Sequence, residues 1–271
     1  MSDLKKIISI GTLKGGVGKT STIFNIGGIL SEQGCKVLII DLDPQANSSA
    51  NFGINIDNLE YTSSNMFLTQ VDPSLLVQKG KIKELPNFDI IPSTIQLTET
   101  EMQLLAAPGR EKILMNYIRK NYDWFKNYDY VLIDTNPSMS LINQNAFVAG
   151  DHVILITEPA ANSYTGVKVF IDLWEQISEA IGMKNNISAV IINKVEKNEK
   201  TAKDFLLFIE ENQNEINKLM LKTYIPKNVA IKDALETYNI PINVFDKKSK
   251  GYLAMMCIMD ELKERGVIDG E

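Results

Sequence analysis

The chain has 271 residues, 44% of them hydrophobic, with a formal net charge of −6. That length and apolar content suit a core needing no covalent staples, and the net acidity argues against a uniformly basic nucleic-acid coat while leaving room for a local patch. The two cysteines, Cys35 and Cys257, each stand alone, so no C-x-x-C pair supports a zinc or iron–sulfur centre.

Met1 to Lys6 is polar and lacks an apolar h-region, which predicts a cytoplasmic chain without a signal peptide. The apolar run Ile7–Ile10 follows, then Lys14-Gly15-Gly16-Val17-Gly18-Lys19-Thr20, then a helix-like run from Ser21 to Ser31. Strand, glycine loop and helix form the context in which a glycine motif becomes a phosphate site. Backbone N–H groups of such a loop converge on an anion, and the helix adds its positive end. Lys19 is placed to reach the β- and γ-phosphates and the Thr20 hydroxyl to hold Mg²⁺. The general pattern wants a glycine six residues before that lysine, where this chain has Leu13; Lys14 is instead a second lysine at the loop's opening.

The run Val37–Ile40 ends in Asp41-Leu42-Asp43-Pro44-Gln45. Two acids two residues apart at a strand end point the same way, and a buried acid needs a cation or strong hydrogen bonds. Two readings stand at this point, a Mg²⁺-nucleotide partner or an acid pair capping a turn. Asn55–Lys83 is irregular and polar, which predicts short helices and a surface loop. After Asp89–Ile91, the apolar run Tyr130–Ile133 ends in Asp134, the pattern of a strand that carries a carboxylate toward Mg²⁺. His152 opens the run His152–Ile156 and reads as structural, leaving His-based catalysis without support. Ile187–Ile192 and Leu221–Ile225 complete seven runs, interleaved with helix-length stretches such as Thr165–Ile181 and Lys200–Leu219. Most runs are too continuous for half-exposed strands, which predicts a parallel sheet with right-handed crossovers, helices on both faces, and ligands at the strands' carboxyl ends. No run of eighteen apolar residues occurs, so no membrane span is expected. Lys250–Gly266 carries Leu253, Met256, Ile258, Met259 and Leu262 near helical spacing, which predicts a helix packed on the core.

On its K-G-G-V-G-K-T loop with the opening Lys14, its D-x-D-P-Q segment and the strand ending at Asp134, the chain resembles the ParA/Soj/MinD group of ATPases, with their deviant Walker A loop. The resemblance runs from Ile7 to about Gly251. It implies an α/β fold, a three-layer P-loop NTPase with a mostly parallel twisted sheet flanked by helices on both faces. A single domain over residues 1–271 is expected, without a separate N-terminal DNA-reading domain. The implied cofactors are ATP/ADP and Mg²⁺. The resemblance puts Lys14, Gly15, Gly16, Val17, Gly18, Lys19, Thr20 and Ser21 around the phosphates, and Thr20, Asp41 and Asp134 toward the metal. It also implies that Asp43 orients the attacking water and that Lys14 crosses a dimer interface to the partner's nucleotide, so Lys14, Lys19 and Asp43 are the catalytic candidates.

The family shows D-T-P-P-S after the third carboxylate strand; this chain has Asp134-Thr135-Asn136-Pro137-Ser138, with Asn136 in place of the first proline. Asn and Pro both favour turns. Asn193 ends a strand where the family places a base-contacting polar residue, though a plain strand-end turn is the other reading. Ile225-Pro226-Lys227-Asn228-Val229 resembles the family's I-P-R-N-V segment beside adenine, which adds Pro226 and Asn228 to the base pocket. Asp246-Lys247-Lys248-Ser249-Lys250-Gly251 resembles its D-x-K-S-K-G element.

MinD-like members end in a basic amphipathic membrane helix, whereas Asp260 to Glu271 is acidic and poor in bulky apolar residues. Nitrogenase-type iron proteins need cluster cysteines at positions that Cys35 and Cys257 do not match. What the resemblance then implies is a Soj-like DNA-partition ATPase at the nucleoid, without membrane attachment. Its ATP-bound homodimer would bind DNA non-specifically, and a ParB-like centromere-binding protein would stimulate hydrolysis and release. Lys227, matching the family's arginine, and Lys248 and Lys250 are the candidate DNA contacts, set among further lysines such as Lys194, Lys197, Lys200 and Lys203. Interleaved acids, including Glu196, Glu199 and Asp204, keep open the reading of a solvated mixed face. The alternatives are a MinD-like membrane-linked positioning ATPase and a dethiobiotin-synthetase-like metabolic ligase.

Overall fold

The computed structural model describes residues 4–160, 162–212 and 214–269. Six strands form one sheet: β1 (Lys6–Gly11), β2 (Val37–Leu42), β3 (Phe88–Ile91), β4 (Tyr130–Thr135), β5 (His152–Thr157) and β6 (Ile187–Ile192). Their spatial order is β3-β2-β4-β1-β5-β6, and every pairing is parallel. The cause lies in the side chains, which alternate between two cores. Ile7, Leu38, Ile40, Val131 and Ile133 pack on one face; Ile8, Val37, Ile39, Tyr130 and Leu132 pack on the other. Both faces are covered by helices, so both parities of each strand must be apolar, and the strands read as continuous rather than alternating. Phe147, Phe170 and Trp174 belong to the first core, while Phe24, Met255 and Met259 belong to the second.

The helix Lys19–Glu32 connects β1 to β2 by passing over β4. It carries Gly27 and Gly28 in its middle, against helix propensity. A Cβ at Gly27 would lie 2.5 Å from the Phe88 ring, and one at Gly28 would lie 2.5 Å from the Pro241 ring. These two glycines let the helix sit close to both the sheet and the Pro241 corner. The expected helix over Lys250–Gly266 spans Lys250–Glu264 and buries Ile258, Met259 and Leu262, as its spacing predicts, with Met255 added. Leu253 points outward instead, 54% exposed.

Two expectations from the runs need correction. Leu221–Ile225 is not a seventh strand. Met220 and Pro226 each make an isolated parallel bridge, to Val190 and Val195. Between them, the backbone N–H groups of Lys222 and Thr223 donate to the Glu261 carboxylate at 2.8 and 2.7 Å, so these donors are turned away from the edge of β6. The stretch Lys200–Leu219 divides into helices Lys200–Glu211 and Glu215–Leu219, the second capped by Asn214, whose side chain accepts from Asn217 N–H at 2.9 Å. Asparagines stop and restart helices because their amides compete for backbone groups. Asn55–Lys83 does contain only short helices, Ile56–Asn58, Ser64–Phe67 and Pro73–Leu76.

Gly27→Ala gains about 1 kcal/mol of helix propensity, but overpacking against Phe88 costs about 1–3 kcal/mol. The expected result is a lower urea midpoint with an unchanged m-value. A more stable variant would mean that the Phe24–Phe52–Phe88 ring cluster yields without cost.

Candidate functional site

The carboxyl ends of β1, β2, β4 and β6 deliver the chemistry-bearing residues to one side of the sheet. The loop after β1 opens the Lys19–Glu32 helix, with Gly16 and Gly18 at φ 76° and 93°, a left-handed geometry suited to glycine. Gly18 is doubly constrained, because an added Cβ would lie 2.2 Å from Asn193 Nδ2. Val17 is buried beneath the loop. Lys19 is also buried, 7% exposed; burial pushes its pKa down, while Asp134 and Asp43 pull it back up.

Two carboxylates, Asp134 and Asp43, act on that lysine, and a third, Asp41, stands beside Asp134. Asp41 and Asp134 are directly opposite in the β2–β4 register, and both are fully buried. Asp41 accepts backbone N–H bonds from Asp43 at 3.0 Å and Ser49 at 2.8 Å, and the Ser49 hydroxyl at 2.7 Å. Asp134 Oδ2 accepts from the hydroxyls of Thr20 at 2.7 Å and Ser48 at 2.8 Å, while its Oδ1 is buried with no partner. Burial drives the pKa of both acids up; the charge of Asp134 adds to the rise at Asp41, and that of Asp43 to the rise at Asp134. Asp43 is raised too, by burial, against the Gln45 N–H bond and the Lys19 charge. A carboxylate whose pKa rises on folding stabilises the fold while protonated, and that stability is lost as pH climbs through the raised value. The Oδ1 of Asp134, buried without a partner, can supply an oxygen ligand or an acceptor for a bound water. The donor set fits Mg²⁺, which takes one or two carboxylates and fills its shell with phosphates and water. Among the described residues no group of three or more His, Cys, Asp or Glu could cage a metal unaided, so the ion has to share its ligands with an anion.

A cavity of about 720 Å³ opens in front of this cluster. Of the residues expected from the sequence, it is lined by Gly16, Gly18, Lys19, Thr20, Ser21, Asp43, Asn193, Pro226, Lys227 and Asn228. Asp41 and Asp134 stand behind that lining rather than in it. Asp41 holds the turn that follows it, and Asp134 is reached through Thr20. Asn193 donates its amide to Val17 O at 2.8 Å and accepts from Lys194 N–H at 2.8 Å, so in this geometry it ties β6 to the glycine loop. Asn228 caps the helix Val229–Glu236, its side chain accepting from Ala230 N–H at 2.8 Å.

Lys14 turns away from the cavity. It is exposed and ion-paired to Glu158 just past the end of β5, beside a second, smaller cavity of about 230 Å³ lined by Leu13, Val167 and Phe170. The turn with Asn136 in place of proline is held by the buried Asn143, whose amide lies 2.8 Å from Asn136 O, 2.9 Å from Asn136 Oδ1 and 2.8 Å from Ser138 O. His152 opens β5, at the opposite end of the strand from Glu158; its Nδ1 pairs with Ser188 Oγ at 2.7 Å, as a structural histidine would. Lys248 and Lys250 are exposed with no ion pair among the described residues, whereas Lys227 is paired to Glu196 and Lys247 to Glu32.

Sequence reasoning missed Asn47 and Asn51, which line the cavity from the short helix Asn47–Asn51 beside Gln45 of the D-x-D-P-Q segment, and Ser48, whose hydroxyl donates to Asp134 Oδ2. It also missed Ile231, Lys232 and Leu235 on the cavity side of the helix that Asn228 caps. Their spacing from Asn228, i, i+3, i+4 and i+7, is a helix-face signal that was available. Lys194 read as one lysine of a basic cluster, but it lines the cavity.

A family model described as AAA domain (AAA_31) matches residues 5–189. The sporulation initiation inhibitor protein Soj of Bacillus subtilis is 29% identical over 261 residues, covering 96% of this chain and 99% of that protein. Among solved structures, cobyrinic acid a,c-diamide synthase from Mycobacterium smegmatis, with a bound ATP analog and magnesium, superposes with a TM-score of 0.78 at 25% identity, covering 97% of this chain and 96% of that one. An McdA–ATP complex from Cyanothece superposes at 0.82 with 21% identity over 99% of both chains, a likeness of fold. With its lysine-opened loop, its acid pair after β2 and Asp134 at the end of β4, the chain belongs to the AAA_31 family of AAA domains, in its ParA/Soj branch.

Proposed function

We propose that this protein is an ATP-hydrolysing DNA-partition ATPase, active as a homodimer that closes on ATP and Mg²⁺. The observation that carries the reading is that Lys19 and Thr20 line a cavity, with Asp43, in front of the buried Asp134 to which Thr20 is bonded. Lys19 and the loop N–H groups hold the phosphates, and the Thr20 hydroxyl and Asp134 hold the ion, which supplies charge neutralisation on the phosphates when bound. Asp43 accepts a hydrogen bond from the attacking water and keeps it aligned. Pro226, Asn228 and the face of the Val229–Glu236 helix enclose the base. Lys14 lies outside its own cavity, where it can serve the nucleotide of a second copy once it leaves Glu158. The ATP state binds DNA non-specifically, and a ParB-like centromere-binding protein stimulates hydrolysis and release.

A second reading, an ATP-dependent ligase acting on a small acid, is favoured by the likeness to the diamide synthase. It requires no DNA and no ATP-linked dimer. The membrane-linked alternative, which would need a free amphipathic helix, has less support, because the apolar side of the Lys250–Glu264 helix is packed into the core.

Asp43→Ala should still bind ATP but hydrolyse it at least ~100-fold more slowly, the scale of a lost positioned acid–base group; single-turnover kinetics at the wild-type rate would remove Asp43 from the reaction. Lys14→Ala should bind ATP as a monomer. Light scattering that finds an ATP-dependent dimer in this variant would end the trans role of Lys14. DNA binding measured with ATP, with ADP and with neither, across a salt series, tests the cargo. Binding should require ATP and fall steeply with salt, with Lys227→Ala lowering the log–log slope by about one unit and Lys248→Ala/Lys250→Ala by about two. An absence of DNA binding in every state, together with turnover on a small carboxylic acid, would favour the ligase.

A further inference from the structure

Two consecutive residues past the end of β6 hold two consecutive carbonyls of the glycine loop. Asn193 donates to Val17 O at 2.8 Å, and the Lys194 ammonium donates to Gly16 O. The backbone at Lys194 is left-handed, φ 57°, a conformation that costs free energy for a non-glycine residue and persists at sites where surrounding contacts fix it. Here Asn193 Oδ1 fixes it by accepting the Lys194 N–H at 2.8 Å. Among the described residues no carboxylate pairs with the Lys194 ammonium. Its charge therefore stands on the rim of the cavity that Lys19 and Thr20 line, compensated only by a carbonyl dipole.

A peptide unit is planar and trans, so its C=O and the following N–H point in opposite directions. Holding the Gly16 carbonyl sets the direction of the Val17 N–H, and holding the Val17 carbonyl sets that of the Gly18 N–H. Gly16 and Gly18 both have positive φ and no side chain, so the loop has little of its own to choose between peptide orientations. An anion site made of backbone N–H groups works only when those groups are already aimed.

We infer that Lys194 is a positioning residue for phosphate binding: with Asn193 it orients the two loop peptides ahead of Lys19, and it adds positive charge to the phosphate side of the cavity. The inference rests on the nucleotide-binding reading above. It differs from the role that Lys194 would have in a basic surface cluster, since its ammonium, although exposed, is bonded to a carbonyl of the glycine loop.

Lys194→Met removes the ammonium while keeping an unbranched side chain on the same left-handed backbone; Lys194→Arg keeps a charged donor. The readouts are the Kd for a fluorescent ADP analogue, displacement of that analogue by inorganic pyrophosphate, and the melting temperature without nucleotide. Lys194→Met should weaken both ADP and pyrophosphate by roughly tenfold or more, the scale of one charge-assisted hydrogen bond. Lys194→Arg should recover most of that loss, and the melting temperature should stay within a few degrees of wild type. Hydrolysis should show a raised KM with kcat little changed. Unchanged ADP affinity in Lys194→Met would overturn the inference while leaving the ATPase reading intact. Weakened ADP with unchanged pyrophosphate would also overturn it, by assigning Lys194 to the nucleoside. Wild-type protein that binds neither ligand would remove the nucleotide reading and this inference with it.

Discussion

Three carboxylates buried at the carboxyl ends of the neighbouring strands β2 and β4, with one buried lysine at the start of the helix after the glycine loop, set the terms for everything around them. Charges taken out of water cost several kcal/mol each unless hydrogen bonds and opposite charge replace their hydration. The fold meets part of that cost by bending the chain to the acids. Asp41 collects the N–H groups of Asp43 and Ser49, which shapes the turn after β2. That turn brings Ser48 onto Asp134 and leaves Asp43 on the cavity wall. Thr20 reaches the same carboxylate from the first turn of the helix after the glycine loop. The remaining deficit, a bare Asp134 oxygen and raised carboxylate pKa values, is what a cation brought in with an anionic ligand would relieve.

The sheet order explains how such distant parts of the chain meet. The glycine loop leaves β1, the acids end β2 and β4, and Asn193 and Lys194 follow β6, so every group rides on a strand end or the loop directly after one. The far wall of the cavity is held from the other end of the chain. Arg265 donates to the carbonyls of Leu219 and Met220 at 2.8 Å each, and Glu261 accepts from Lys222 and Thr223. These bonds keep the Met220–Pro226 segment along the edge of β6 without making it a strand, and so fix where Pro226, Lys227 and Asn228 face the cavity. The C-terminal helix thereby has a task beyond filling the core.

Much of the fold was legible because both faces of a parallel sheet are dry. Runs such as Val37–Ile40 and Tyr130–Ile133 have no solvent side to accommodate, and the glycine loop between a strand and a helix has one strong physical use. The failures have equally local causes. Leu221–Ile225 has the composition of a strand, and Leu221 and Ile225 still donate to the β6 carbonyls of Val190 and Ile192, but the N–H groups of Lys222 and Thr223 between them are taken by Glu261, thirty-eight residues further on from Thr223. The second half of Lys200–Leu219 has helical content, but Asn214 restarts the helix there.

The sequence by itself determined the chemistry on offer: a lysine-opened glycine loop, acids at two strand ends, an asparagine where a proline is usual, and no cysteine or histidine cluster. These are local patterns, in which residue type and spacing already fix what the backbone and side chains can do. Only the tertiary structure decided how the groups share labour. It set Asp41 to hold a turn rather than to line the cavity, turned Lys14 out toward Glu158, gave Asn143 the turn at Asn136, and put Lys194 on the glycine loop instead of in a basic surface cluster. Each of those assignments rests on a hydrogen bond or ion pair between segments far apart in the chain. Which partner a buried or charged group finds is set by the competition among all the groups the fold brings near it, and that competition exists only once the sheet has formed.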